Sequence, residues 1–586
     1  MKRSRIAAGL VAVFTLAALF VAWNRAFASA KIFPWQTQSS APASAQNVAP
    51  PQQLSPQGQA SLLAVIQSGN LPELRWPNFT DYSAHAQKFY GSFGNALPWV
   101  RDMQPTPQAQ QVIALLLSSD NKGLSPEDYD GPRWSQRLAK LKPAAAHPTE
   151  ADAIDFDVAL TVCAMRYISD LHIGKINPKH FDFGLNVDVK KYDLPDFIKE
   201  NVVNSSDVAA ALAQVEPPYP GYKRTMRALE TYVALAKAYP SDQQLPSTGK
   251  TIAPGDTYAG VQQLAHFLSL VGDLPPDAKF PPDATAYQAP LIDAVKSFQV
   301  RHGFTPDGRI TSQTLAAMNV PMAKRVQQMQ LTLERWRWLP LGLHAAPVVA
   351  NVPEFRLRAY DENFKIQLSM NVVVGKAYDH NTPVFADTMQ YVVFRPYWSV
   401  PYSIARAEFF SRIAKDPDYL EKKGFQVVDA RQEVVTSSTV TSDVLDQLRA
   451  GKLFIRQNPG PKNSLGLVKF IFPNSYNIYM HDTPEQKFFA DTRRDFSHGC
   501  IRLERPADLA VWVLRNNPGN WDMARVKAAM NGNPNNQVNL VKPIPVLIVY
   551  ATVIVTEDGQ VHFYDDIYGH DAELATALQK GYPYPG

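Results

Sequence analysis

The sequence predicts a multidomain α+β chain: a helical first half, a small three-helix unit, and a β-rich C-terminal domain with a helical insertion. Three observations predict it. At 586 residues the chain exceeds what one hydrophobic core holds, roughly 250–300 residues. Over residues 71–250 apolar side chains recur at helical spacing, and from about residue 346 the period switches to two. A composition of 45% hydrophobic and 19% charged residues suits a soluble globular body. The net charge of +4 is small for this length, and Lys and Arg are scattered among Asp and Glu, so no nucleic-acid partner is expected.

The chain opens on MKRSRIAAGLVAVFTLAALFVAWNRAFASA. Lys2, Arg3 and Arg5 precede a charge-free run over residues 6–23, and Ala28 and Ala30 are the small residues a signal peptidase requires. The run is long for a signal peptide and short for a spanning helix. Residues 1–30 therefore read as either a signal peptide cleaved near Ala30 or a membrane anchor, and either one exports the remainder of the chain. Residues 31–70 are dominated by Gln, Ser, Ala and Pro, with no charge from Ile32 to Pro72, which predicts a flexible linker. Only Trp35 and the run SLLAVI are apolar enough to pack locally.

Residues 71–250 read as a helical scaffold. QAQQVIALLLSSDNKGLSPEDYDG gives a helix, a Gly-containing stop and a Ser-Pro restart. ADAIDFDVALTVCAMRYISDLH gives a long amphipathic helix ending before Gly174, and GYKRTMRALETYVALAKAYP gives another stopped by Pro240. Cys163 falls within the long helix as a small buried hydrophobe. His172 and His180 are single histidines near a helix end, with surface or capping roles expected. Residues 251–320 give three helical runs, with Gly303 at a C-cap, a Pro-Asp-Gly turn, and Thr311 as an N-cap. Residues 321–345 give a connecting helix bearing Trp336 and Trp338, ended at Pro340 and docking the helical part against the rest.

From residue 346 to 586 alternation predicts strands in FKIQLSMNVVVG, MQYVVFRPYW, LGLVKFIF and YNIYMHD. Helical periodicity returns at about 403–451, which predicts an insertion capping a site. RPADLAVWVLRN gives a helix with Pro506 in its first turn, and a hairpin around Asp558-Gly559 closes the domain.

The stretch RRDFSHGCIRLERP carries Cys500. A cysteine there can be a nucleophile, a metal ligand, half of a disulfide or a buried side chain. Two cysteines in so long a chain make no disulfide framework, so both are expected as free thiols. A nucleophilic thiol needs a base. His498 lies two residues away and His481 nineteen upstream, at the end of an alternating segment that puts Tyr479 and His481 on one face. Gly499 permits close backbone approach, and the N–H groups of Gly499 and Cys500 are placed to aim at an oxyanion. The rival is a zinc hydrolase, since His481, Asp482, His498 and Cys500 are ligand types, though their spacing fits no familiar zinc pattern.

Two resemblances narrow this. AVKSFQ, HGF, PDGRIT and TL, in that order over residues 251–320, resemble the type 1 peptidoglycan-binding domain, a three-helix module that also serves as a non-binding spacer. HDTP and SHGCIR resemble the L,D-transpeptidase catalytic domain, or YkuD fold: His481-Asp482, fourteen residues, then Ser497-His498-Gly499-Cys500-Ile501-Arg502. With the scaffold and the insertion, the chain is similar to long YcbB-type members of that family. The resemblance implies that Cys500 is the nucleophile and His481 its proton acceptor, oriented by the Asp482 backbone carbonyl. It implies that His498 and Ser497 shape the site and that Arg502 meets a carboxylate of the stem peptide. Tyr479 and Trp398 are expected to line the substrate cleft, with ordinary strand packing as the alternative.

The implied reaction joins two peptidoglycan tetrapeptide stems, donor and acceptor, in a 3→3 cross-link through a cysteine thioester. It needs no metal or organic cofactor, and carbapenems acylate the cysteine. The implied place is the periplasm, at the inner membrane if residues 6–23 stay as an anchor. The expected protein partners are a carboxypeptidase that supplies tetrapeptides or glycan-synthesising enzymes. Two other functions fit the same residues: a cysteine L,D-carboxypeptidase or endopeptidase acting on stem peptides, and a non-catalytic wall-binding scaffold.

Overall fold

Helix Glu150–Ile173 organises the scaffold, and its start is fixed by a reciprocal cap between Thr149 and Asp152. Most of its residues are buried all round, so it is a central helix rather than a surface one. Buried Asp157 accepts hydrogen bonds from the Tyr90 hydroxyl at 2.8 Å and the Trp99 N–H at 2.9 Å, and burial pushes its carboxyl up to about 7. Asp170, a few turns on, accepts from Tyr129 at 2.6 Å and from Tyr582 of the C-terminal segment. Cys163 is buried on the same helix as a free thiol. His172 is buried too, its ring nitrogens 2.8 and 2.9 Å from the carbonyls of Val215 and Lys190, so it is an interior tie and not a surface or capping residue.

The computed structural model describes residues 50–142, 148–239, 244–281, 283–343, 345–376 and 380–585. The expected leader over residues 1–30, with its anchor run 6–23 and cleavage site near Ala30, lies outside them. No helix of the described residues is long and apolar enough to cross a membrane. The linker expected over residues 31–70 needs correction from residue 50 onward. Helix Pro56–Ser68 forms there, capped by the Ser55 side chain and tied to the scaffold by Glu150, which accepts from the Ser55 N–H at 2.7 Å. Absence of charge does not prevent folding when Leu62 and Ile66 fall on one helix face and both are buried.

The three-helix unit comprises Val261–Leu270, Leu291–Arg301 and Ser312–Met318. Gln299, buried, holds the Pro-Asp-Gly turn by bonding Asp307, the Gly308 N–H and the Arg309 carbonyl. Arg301 pairs with Asp273 and also donates to the Val561 carbonyl at 2.6 Å, which fastens the unit to the C-terminal domain. The connecting helix Met322–Trp338 joins both halves. Its Glu334 accepts the N–H groups of Lys175 and Ile176 from the scaffold, and its Gln328 donates to the Thr552 and Tyr564 carbonyls.

The C-terminal domain contains fifteen strands among the described residues: β1 Val348–Asn351, β2 Arg356–Tyr360, β3 Ile366–Gly375, β4 Phe385–Phe394, β5 Trp398–Ser399, β6 Phe425–Val428, β7 Val434–Thr436, β8 Phe454–Gln457, β9 Val468–Ile471, β10 Met480–His481, β11 Asp495–Ser497, β12 Ile501–Leu503, β13 Asn536–Val549, β14 Val553–Val555 and β15 Val561–Phe563. Nine form one sheet in the order β11-β3-β12-β10-β9-β4-β13-β1-β2, and pairing of β2 with β3 closes eight of them into a ring. The alternating segment before His481 is mostly not strand. Asn474 turns the chain by accepting the N–H groups of Tyr476 and Ile478, and only Met480 and His481 join the sheet.

The insertion also departs from expectation. It is not purely helical but α+β, with its own sheet in the order β5-β8-β6-β7 and its own buried cluster around Ile413, Val427, Leu448 and Ile455. Its limits are the paired strands β5 and β8, outside the expected 403–451. The short strands FQVV and FIRQ each follow a helical run and are too brief for their period to stand out in the sequence.

Replacing Leu62 with Ala is expected to lower the unfolding free energy by about 2–4 kcal/mol, the cost of a large-to-small change in a packed core. Chemical denaturation of the full chain measures it; no change would return residues 50–70 to the status of a linker.

Candidate active site

Cys500 stands on the turn between β11 and β12. Gly499 has φ +113°, where an L side chain is strained, and a Cβ there would meet Ile478 at 3.1 Å. Ser497 ties the turn from inside: its hydroxyl donates to the Cys500 carbonyl at 2.6 Å and accepts the Gly499 N–H at 3.1 Å. The Gly499 N–H is thus engaged, which corrects the expectation that it aims at an oxyanion. A second support comes from far along the chain. Thr382 donates to the Gly499 carbonyl at 2.7 Å and accepts the Gly375 N–H at 2.8 Å, while Tyr568 donates to the Gly375 carbonyl at 2.5 Å.

His481 is brought in by β10, the two-residue strand between β9 and β12. Its Nδ1 lies 2.5 Å from the Asp482 carbonyl. A carbonyl only accepts, so Nδ1 carries the hydrogen and Nε2 keeps its lone pair. The Asp482 carboxylate is spent elsewhere, accepting the N–H groups of Leu467 at 2.8 Å and Thr483 at 2.7 Å. Burial, then the charges of Arg502 and Lys469, pull the His481 pKa down to about 3 against the raising effect of the Asp482 carbonyl.

The sheet register explains those charges. Lys469 on β9 and Arg502 on β12 are both paired with His481, so all three stand in one row on one face. Neither cation has an ion pair among the described residues, and Arg502 Nε has no hydrogen-bond partner. Arg502 packs 5.9 Å from the Phe488 ring, and Lys469 Nζ lies 5.9 Å from the Tyr479 ring. Burial lowers both pKa values, and both cations act favourably on a Cys500 thiolate.

The thiol is partly buried. Its Sγ contacts the Asn477 carbonyl at 3.8 Å and hydrogen-bonds the Tyr479 side chain, which also bonds Trp398. Burial pushes the thiol up to about 11 despite those bonds and the two cations. Tyr479 therefore touches both partners, bonding Cys500 and placing its ring 5.7 Å from the His481 ring. Among the described residues no hydrogen bond joins Cys500 Sγ to His481. Trp398 sits where the insertion begins and packs on Phe425 at 6.1 Å. His498 turns the other way: Nε2 is 2.9 Å from Glu408 of the insertion, and its ring is 4.9 Å from that of His380.

These directions separate the zinc ligand set. Asp482 is engaged by backbone, His498 faces Glu408, and no group of three His, Cys, Asp or Glu among the described residues is arranged to hold a metal. What remains is a neutral thiol, a neutral imidazole with a free Nε2, and two cations beside them. That set suits nucleophilic attack with proton transfer on a substrate bearing carboxylates.

Comparison with known proteins bears on the same segment. Residues 346–534 match the family model of the L,D-transpeptidase catalytic domain. The chain carries an L,D-transpeptidase catalytic domain. Residues 84–229 match a model described as a scaffold domain, and residues 257–318 one described as "Putative peptidoglycan binding domain". A Haemophilus influenzae protein with the name "Putative L,D-transpeptidase" is 28% identical over 272 residues, which is 46% of this chain and 53% of that protein. The chain thus spans about half the length of that curated relative. Among solved structures, an L,D-transpeptidase of Xylanimonas cellulosilytica (residues 123–326) is 14% identical, covering 52% of this chain and all of that one, with a TM-score of 0.16. An L,D-transpeptidase of Stackebrandtia nassauensis is 12% identical, covering 51% of this chain and 96% of that one, with a TM-score of 0.19. Neither of these two likenesses is close enough to bear on fold or chemistry.

The transpeptidase domain extends past the matched segment, since ring strand β13 follows residue 534. Three residues of its site went unread in the sequence. Lys469 announces itself only as a lysine inside the apolar run LGLVKFIF. Thr382 and Glu408 carry no local signal, because what they hold is remote in sequence.

The rate of Cys500 alkylation by iodoacetamide is expected to rise steadily from about pH 6 to about pH 10, because thiolate accumulates only toward a pKa of about 11. Peptide mass mapping reads it, with buried Cys163 silent. A plateau near neutrality would mean a preformed thiolate–imidazolium pair instead.

Proposed function

We propose that the chain is a peptidoglycan L,D-transpeptidase that forms 3→3 cross-links through a thioester on Cys500. The observation that carries the reading is the row Lys469–His481–Arg502 beside the thiol, within a segment matching the family's catalytic domain.

In the first step Sγ attacks the donor-stem carbonyl while its proton passes to His481 Nε2. Because burial holds the thiol neutral and the imidazole neutral, attack and proton transfer occur together rather than from a resting ion pair. The tetrahedral oxyanion is served by the Cys500 N–H, since the Gly499 N–H is bonded to Ser497. The C–N bond to the terminal D-Ala then breaks, and its nitrogen takes the proton from His481. A thioester remains. The side-chain amine of an acceptor stem attacks it, gives a proton to His481, and releases the thiol with formation of the new amide. Arg502 and Lys469 receive carboxylates of the stems, and Tyr479 and Trp398 line the donor path. Ser497 and Thr382 hold the turn, and His498 positions the insertion over it through Glu408.

Export to the periplasm, through cleavage near Ala30 or anchoring by residues 6–23, belongs to the same proposal and rests on the leader composition. So do binding of glycan by residues 257–318, cooperation with a carboxypeptidase or glycan-synthesising enzymes, and acylation by carbapenems.

Purified protein with a disaccharide-tetrapeptide, analysed by mass spectrometry, is expected to give a cross-linked dimer, and Cys500→Ala none. Tripeptide without dimer would replace transfer by hydrolysis; equal dimer from Cys500→Ala would remove the enzyme altogether. Lys469→Met is expected to lower kcat/KM for the stem about 10–100-fold, the worth of one charge-assisted hydrogen bond. An unchanged kcat/KM would remove Lys469 from stem recognition.

A further inference from the structure

A cavity of about 170 Å³ lies where helix Pro220–Ala238, the connecting helix and strands β1, β2 and β13 meet. In the ring order β1 stands opposite β10, so the barrel separates this cavity from Cys500. The walls are mostly apolar, with Tyr219, Trp336, Phe364 and Leu547 among them. Its size is comparable to apolar cavities of about 150 Å³ that take up a benzene ring.

Three side chains of the connecting helix break the apolar lining. Thr332, Arg335 and Trp338 follow at intervals of three, so they form one stripe along the helix. All are buried, and among the described residues the Thr332 hydroxyl and the Arg335 Nε and Nη2 have no hydrogen-bond partner, while the Trp338 indole N–H edge turns away toward Gly174 and Glu334, outside the cavity lining. Arg335 spends only Nη1, on Asp571. Nε and Nη2 form one edge of the guanidinium, the pair of parallel donors that matches a carboxylate. Of the nearby acids, Asp571 is engaged by Arg335 and Thr552 and Glu354 by Arg358, while Glu557, which also lines the cavity, is exposed to solvent and acts on Arg224. Buried donors without acceptors are costly, and here they are gathered at one wall of an apolar space.

We propose that this cavity binds a small amphipathic monocarboxylate, its carboxylate on Arg335 with Thr332, its apolar body against Trp336, Phe364 and Leu547. Such a ligand bridges the scaffold and the transpeptidase domain, because the connecting helix contacts both. The site stands apart from the transpeptidation chemistry and does not depend on it.

The test is calorimetric titration of the full chain, first alkylated at Cys500 so that carboxylates do not enter the active site, with 4-phenylbutyrate and with 4-phenylbutan-1-ol. One saturable site for the acid, at least about tenfold weaker binding of the alcohol, and a raised unfolding temperature are expected. Thr332→Val is expected to weaken the acid, and Ile554→Trp, which fills the lining, to abolish it while Cys500 remains alkylatable at the normal rate. Absence of a saturable site, equal binding of acid and alcohol, or acid binding unchanged in both variants would each overturn the proposal.

Discussion

Burial of His481 between two cations is the constraint on which the C-terminal domain turns. The strand that carries it has only two residues, yet it is paired on both sides, antiparallel to β9 and parallel to β12. That double pairing removes the ring from water and fixes Lys469 and Arg502 beside it. The cations oppose a third positive charge, so the imidazole stays neutral and available as a base. A lone buried histidine would be kept neutral by desolvation as well. The cations add something desolvation lacks: they favour the thiolate that appears as the proton leaves.

The rest of the site answers to that arrangement. In the proposed reaction a base held rigidly needs a nucleophile held as rigidly, and the cysteine turn is tied from two directions. Ser497 closes it locally, and the Thr382–Gly375–Tyr568 relay fixes it to strand β3 and to the segment beyond β15. Losing the Gly499 N–H to Ser497 is a cost of that rigidity, and in the proposed reaction it leaves the Cys500 N–H to face the developing charge. The outward turn of His498 toward Glu408 gives the motif a second task, since one letter of SHGC addresses the insertion rather than the thiol.

How much the sequence disclosed depends on locality. Cys500, His481 and the Asp482 carbonyl lie in two short stretches with diagnostic spacing. Tyr479 stands at the thiol, and Trp398 reaches it only through Tyr479. Lys469, Thr382 and Glu408 were hidden, because their meaning depends on register and on contacts across many residues. The same distinction governs the fold. Long periodic runs such as Glu150–Ile173 and Met322–Trp338 were legible. The three insertion strands after Trp398–Ser399 were not, nor was the turn at Asn474 that shortens the strand before His481. His172 misled because proximity to a helix end does not reveal that two carbonyls from other segments close over it.

The insertion enters through β5 and leaves through β8, and these two strands are hydrogen-bonded to each other. Its two points of attachment therefore sit one strand spacing apart, roughly 5 Å. With its own core, it resembles a cassette plugged into a two-pin socket. Length and shape can drift there across generations, or be exchanged by design, while the ring beneath keeps its register. The insertion and the ring thus form separately evolvable parts of one chain.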